Sequence, residues 1–523
     1  MGDNSLLRTK KLVEFQADAV AQTFIDRDKM WVWDTGTGKS VGSVALAALG
    51  FDQEEIDQVL VVCERNKLRE WAADFASDTD LSLYTLHGPN RWRKLGKVQD
   101  ELGRWPDVLI TTYETAKTDA VTKAGPRKLS RGPLVEHLLG KRLLVIYDES
   151  NKLKNRSSMT HKAHAYMLGE FRRKGNMTSV RVLALTGTPI DTDYEDVFSQ
   201  LRLVVPDKMP LVKKFEEVCV KRRDTFGRPV FNAEGVQAFM EICRPHLIRK
   251  RKTDPDVVDQ FPAMTETFRY VTMTNDHKDL YQTIEKYIFE SDIDEGSAWM
   301  TLRQIAGHPG SLIYAARRSD GSQIAKNIVE VLGEDHLRSL RCAKAEELLS
   351  YLQTVVEEQG DKAIVFTYFG RSILRCLHET IVDRGWPVFL YHGENTASQN
   401  DLELRQFKGY FGGAILLASD AAARGINVPE ATYVVEYDAP TTYSLHVQRL
   451  NRAHRMGHNL GPVTGLTLAT EGTVEEGILD SLIRRNEMHD AFVGDTEAEG
   501  DHTLAADRKA ILAKAKARYK TKR

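Results

Sequence analysis

The sequence predicts an α/β protein of two lobes, each built on a parallel sheet, with a helical insertion between them. Three observations carry that expectation. Short β-branched and aliphatic runs recur, each closed by polar or glycine-containing residues; longer amphipathic stretches lie between them; and the runs fall into two series. The first series is 30–33, 59–63, 108–112, 143–147 and 182–186, and the second is 363–367, 388–391, 414–419 and 433–437. Stretches 66–75 and 372–382 are amphipathic and predict helices between strands.

A chain of 523 residues is too long for one ordinary core. The expected divisions are a first lobe over 1–205, a charged and helical insertion and bridge over 206–341, a second lobe over 342–493, and a tail over 494–523. The tail opens with an acidic linker, 495–501, and ends in a basic run from Arg508 to Arg523 without an acid. Like charges repel along that run, so it is expected to stay disordered until phosphates neutralise it, acting then as an auxiliary grip on nucleic acid or else serving only as a solubilising end.

Composition narrows the class. Hydrophobic residues make up 42%, charged residues 28%, and the net charge is −2, so any nucleic-acid groove must be local and not a property of the whole surface. The cysteines Cys63, Cys219, Cys243, Cys342 and Cys376 lie far apart with no C-x-x-C pair, which argues against a disulfide frame or zinc knuckle. His454 and His458 have metal-like spacing but no accompanying carboxylate motif. Without a long apolar run or a signal-like start, the chain is expected to be intracellular and soluble, in a bacterial or virus-infected cytoplasm or in a nucleus.

Chemistry enters at Asp34-Thr35-Gly36-Thr37-Gly38-Lys39-Ser40, between a strand and an Ala/Val/Leu-rich helix. Glycines let backbone N–H groups close around phosphate oxygens at the positive end of a helix. Gly36 and Gly38 serve that turn, Lys39 would bridge the β- and γ-phosphates of ATP, and Ser40 would hold Mg²⁺. Trp33 stands where the usual pattern has its first small residue. Run 143–147 ends in Asp148-Glu149, where Asp148 can hold the metal through its water shell and Glu149 can polarise the attacking water. Leu185-Thr186-Gly187-Thr188-Pro189 offers hydroxyls in a tight turn at another strand end, and Arg449, Arg452 and Arg455 lie in one basic run with Gln448. Guanidinium groups keep their charge and can stabilise a transferring phosphoryl group, although a basic helix face is the commoner reason for such a run.

In order and content these elements resemble superfamily-two helicases, and most closely the chromatin-remodeller (Swi/Snf-type) ATPases. The resemblance runs from Phe15-Gln16 to about Val493. Its specific marks are Asp148-Glu149 with Leu153-Lys154-Asn155, the Leu-Thr-Gly-Thr-Pro turn, and Arg452-Ala453-His454-Arg455-Met456-Gly457. It implies two RecA-like P-loop lobes, with Gln16 reading the adenine edge and Gly425, Gln448, Arg452 and Arg455 completing the ATP site. It also makes Thr112, Thr367 and Ser419 candidates for phosphate-backbone contacts, though their hydroxyls could equally cap helices. The implied partner is double-stranded DNA, tracked without sequence preference. Asn151 replaces the family's usual His, and Asp191-Thr192 its usual Gln-Asn. Residues 418–425 look more like the DEAD-box RNA helicases, which keeps a strand-separating DNA or RNA helicase as the alternative. An ATP-gated clamp without turnover is the rival from another class, opposed by the presence of Lys39, Glu149 and Arg455.

Overall fold

The computed structural model describes residues 7–123, 129–174, 179–225, 228–317, 322–423, 426–455, 461–493 and 508–521. Two compact units emerge, one of residues Met1–Arg222, Pro229–Val257 and Met488–His502, the other of Arg223–Arg228, Val258–Glu487 and Thr503–Arg523.

The main sheet of the first unit has, among the described residues, seven strands: β1 (Lys29–Trp33), β2 (Gln58–Cys63), β3 (Leu83–Thr85), β4 (Val108–Thr112), β5 (Leu143–Asp148), β6 (Val180–Thr186) and β7 (Leu247–Lys250). Their order across the sheet is β7-β1-β6-β5-β2-β4-β3, and every pairing is parallel. Strands β1, β2, β4, β5 and β6 are buried along their whole length, which is why they read as unbroken apolar runs with no period of two. Helices α1 (Glu14–Asp26), α2 (Lys39–Asp52), α3 (Leu68–Asp78) and α4 (Tyr113–Ala120) belong to this unit. α2 packs closely on β1 at Gly42, where an added Cβ would lie 2.9 Å from the Trp31 ring. Trp31 stacks on Trp33 at 4.4 Å between centroids, and Phe15 meets Trp33 edge-on at 5.4 Å. Trp33 therefore fills core space at the mouth of the loop, and the loop after it needs no small residue there.

The second unit holds β8 (Met264–Val271), β9 (Lys362–Thr367), β10 (Val388–Tyr391), β11 (Ala414–Ser419), β12 (Tyr433–Glu436) and β13 (Val463–Thr470). Their order is β8-β13-β12-β9-β11-β10, again wholly parallel. Helices α5 (Glu295–Gly307), α6 (Tyr443–Leu450) and α8 (Arg508–Thr521) lie here, and α7 (Val474–Val493) contributes residues 474–487 here and 488–493 to the first unit. The fold is thus α/β with two parallel sheets.

Two sequence expectations differ from what is observed. Segment 206–341 is not one helical body: 229–257 belong to the first unit and supply β7, while 258–341 belong to the second and supply β8. β8 has no buried residue, its positions being half-buried or exposed, so this polar edge strand does not read as an apolar run. The basic tail is not disordered over 508–521. It forms α8, with Ile511, Leu512 and Ala515 buried beside Tyr281, Trp299 and Leu482 while Lys509, Lys514 and Lys516 stay exposed. Three apolar residues on one face outweighed the repulsion of lysines that stand in solvent. The acidic linker 495–501, Gly425, Gly457 and His458 lie outside the described residues. All five cysteines are free and buried. No helix among the described residues is long and apolar enough to cross a membrane, and no metal-type cluster occurs among them.

Candidate nucleotide site and charge network

β1 delivers the chain into a loop that ends at the first residue of α2. Gly36 and Gly38 take φ of 91° and 86°, a left-handed region costly for any residue with a Cβ. At Gly38 the space is also closed, since an added Cβ would come 2.3 Å from Gln16 Nε2. Gln16 Nε2 donates to the Thr37 carbonyl at 2.9 Å, and its Oε1 accepts from Val13 N–H at 3.1 Å. Both ends of that amide are therefore bonded inside the chain. Gln16 supports the loop, and the second N–H of Nε2 and the second lone pair of Oε1 are what it would have for the adenine-reading role implied by resemblance.

Lys39 opens α2 half-buried, its ammonium donating to the carbonyls of Trp33 at 2.7 Å and Asp34 at 3.2 Å. Burial pushes its pKa down against the attraction of Glu149, Asp148 and Asp34, so an anion placed on it would replace weak carbonyl partners. Ser40, next on the helix, is half-buried. Asp148 ends β5, buried, its carboxylate accepting from Trp71 Nε1 at 2.9 Å and its carbonyl from Tyr113 OH at 2.8 Å. Burial raises the pKa of both Asp148 and Glu149, with Trp71 and the Lys67 and Lys39 charges opposing it at Asp148 and Lys39 opposing it at Glu149. Glu149 takes φ 55°, left-handed without being glycine, a conformation costing on the order of 1 kcal/mol and found where a side chain must be aimed. The contacts of Trp71 and Tyr113 with Asp148 could not be read from the sequence, because nothing in an amphipathic helix marks which aromatic reaches a distant acid.

The Thr-Gly-Thr-Pro turn follows β6 and lies against the loop: a Cβ at Gly187 would be 3.2 Å from the Trp33 carbonyl and 3.4 Å from Thr35 Oγ1. Asn151 Nδ2 donates to Thr188 Oγ1 at 3.1 Å, so the residue that replaces the family's histidine still links the acidic pair to the turn. Lys154 pairs with Asp191, whose backbone N–H bonds Asp196, so the Asp191 departure sits in its own ion-pair setting.

In the second unit Arg449 is wholly buried between Asp420, Glu436 and Asp438, which hold its charge firmly against burial. Asp438 also accepts from Thr367 Oγ1 at 2.5 Å and from Tyr368 N–H at 2.9 Å. His446 sits between Glu436 at 2.7 Å and Glu266 at 3.2 Å, and these carboxylates outweigh burial and push its pKa up to about 10. Arg452 is buried, with Nε donating to the Gln448 carbonyl at 2.9 Å and Nη1 to the Ile426 carbonyl at 2.7 Å. Arg455 is half-buried with Nε on the Asn451 carbonyl at 3.0 Å, and Gln448 is half-buried on α6. Arg449 was one arginine of the basic run in the sequence, and only the fold shows that it is the one fully buried among acids.

The three phosphate-contact candidates separate. Thr112 caps α4, accepting from Thr115 N–H at 3.1 Å and donating to Thr115 Oγ1 at 2.9 Å. Thr367 is fully buried with its hydroxyl given to Asp438. Ser419, at the end of β11, lines a cleft of about 360 Å³ together with Gln304, Gly370, Arg371, Ser372 and His392. Capping and burial thus occupy two of the three hydroxyls, and only Ser419 borders open space.

A model of the SNF2-related domain matches residues 29–330, and a model of the helicase conserved C-terminal domain matches 343–457. The CHD3-type chromatin-remodeling factor CHR7 of Arabidopsis thaliana is 24% identical over 469 residues, 87% of this chain and 35% of that protein. The ATP-dependent DNA helicase DDM1 of the same plant is 23% identical over 489 residues, 88% of this chain and 58% of its own length. This chain therefore spans roughly a third to three-fifths of these curated relatives. Among solved structures, the Sulfolobus solfataricus SWI2/SNF2 ATPase core in complex with dsDNA is 20% identical, covering 96% of this chain and 95% of its own, at a TM-score of 0.43.

Proposed function

We propose that this chain, which belongs to the SNF2-related domain family, is an ATP-hydrolysing motor that moves along double-stranded DNA. The observation that carries the reading is the meeting, in one unit, of a phosphate-shaped loop with Lys39 and an acidic pair whose charges already act on each other. Backbone N–H groups around Gly36 and Gly38 and the Lys39 ammonium would bind the ATP phosphates at the α2 N-terminus. Ser40 and Asp148 would hold Mg²⁺, which supplies neutralising charge on the phosphate oxygens. The residues fit that ion: Asp148 is a buried carboxylate braced by Trp71, and a cation would relieve the crowding of two acids. Glu149, aimed by its left-handed backbone, would take the proton of the attacking water. Arg455 and Arg452 would stabilise charge that develops on the phosphoryl group, with Gln448 and Gly425 as further nucleotide contacts.

On the nucleic-acid side, Ser419 with Gln304 and Arg371 offers donors of the kind that bind phosphate oxygens, which carry no base information. Binding indifferent to sequence follows.

The test is ATP hydrolysis measured side by side with duplex DNA, single-stranded DNA and RNA, for the wild type, Lys39→Ala and Glu149→Gln. Duplex DNA should stimulate most. Lys39→Ala should lose nucleotide affinity, whereas Glu149→Gln should bind ATP and turn over slowly. Greatest stimulation by RNA favours the strand-separating alternative, and a wild type that binds DNA and ATP without turnover favours the clamp.

A further inference from the structure

We infer that His489 is a positioning residue for the nucleotide loop, acting through the carbonyl of Gly187. This rests on the ATPase reading above and assigns a role to a segment outside every motif that led to it. α7 starts as an ordinary closing helix of the second unit, but its residues 488–493 belong to the first. There His489, buried, places Nε2 3.1 Å from the Gly187 carbonyl, and a carbonyl can only accept, so Nε2 carries the proton. One turn on, the Phe492 carbonyl accepts from Arg249 Nη1 at 3.1 Å, and the Phe492 ring is buried. Arg249 lies on β7 opposite Val32 of β1, and Gly187 follows β6, the other neighbour of β1. The end of α7 is thus fastened to both strands that flank the one leading into the nucleotide loop.

The next link is short. Gly187 abuts the Trp33 carbonyl and Thr35 so closely that a Cβ would be squeezed at 3.2 Å and 3.4 Å. The Trp33 carbonyl is also the resting partner of the Lys39 ammonium. A donor that fixes the Gly187 carbonyl therefore fixes the wall on which Lys39 waits.

The experiment compares wild type, His489→Leu and His489→Gln in the full chain. Leucine keeps the buried volume and removes the donor, while glutamine restores an N–H at similar reach. ATP turnover with duplex DNA, affinity for a fluorescent ATP analogue, and melting temperature are measured on each. His489→Leu should lower kcat about tenfold, the scale of one hydrogen bond felt in the transition state, with analogue affinity within about threefold of wild type. His489→Gln should recover most of the loss. Wild-type kcat in His489→Leu overturns the assignment, and so does a loss that glutamine fails to recover or that a lowered melting temperature accompanies equally in both variants. A wild type without turnover instead removes the ATPase reading, which keeps the two failures apart.

Discussion

Arg452 and Arg455 stand three residues apart in one basic run, yet their surroundings divide their work. Arg452 donates to two backbone carbonyls and is buried, whereas Arg455 is half-buried. Arg455→Ala should leave ATP binding nearly intact and cut hydrolysis by roughly 10³-fold or more, as for arginines that meet a phosphoryl charge only in the transition state. Arg452→Ala should in addition destabilise the second unit by about 1–3 kcal/mol, because the Ile426 carbonyl loses its donor. Turnover and urea unfolding of both variants check this; equal stability of the two would put Arg452 outside the framework. Lys39, Asp148 and Glu149 stood out in the sequence as candidates because phosphate chemistry needs a fixed order of residue types after a strand. Thr112 and Thr367 were legible only as hydroxyls at strand ends. That one caps a helix and the other feeds Asp438 depends on neighbours far along the chain.

At the scale of elements, α6 is pinned by charge. His446 between Glu436 and Glu266 titrates near 10 when folded, above the ordinary 6.5. A raised folded pKa adds stability that is fully present below 6.5 and is lost as pH rises through about 10. Thermal stability of the second unit should therefore fall between neutral and pH 10, and His446→Gln should flatten that part of the curve. An unchanged slope would mean that His446 is neutral in the folded state. The carboxyl-terminal helix α8 gives a second test. Leu512→Ala should cost about 2–4 kcal/mol, since the side chain is buried. Lys509→Ala with Lys516→Ala should leave stability alone and flatten the salt dependence of duplex binding by up to about two units in slope. An unchanged slope would leave these lysines as solvated charge. The fully buried strands were visible as apolar runs, whereas β3, β7, β8 and β13 were not: three are short or edge-lying, and β13 mixes threonine and glycine into its length.

For the whole molecule, two parallel sheets recur in one chain, each with its candidate site residues at the carboxyl ends of its strands, where open α/β sheets bind ligands. Lys39 and Asp148-Glu149 stand at such ends in the first unit, and the Ser419 cleft stands at one in the second. That repetition is what the two series of apolar runs announced, and the assignment of 206–341 failed because β7 and β8 are spent completing the two sheets. The central claim is movement along an intact duplex driven by ATP. It is tested most directly by displacement of a third strand from a DNA triplex, run beside a forked duplex of equal length. ATP should drive release of the third strand by the wild type and not by Glu149→Gln, while the forked duplex stays paired. Separation of the fork, or brisk ATP hydrolysis with the triplex left in place, would contradict it.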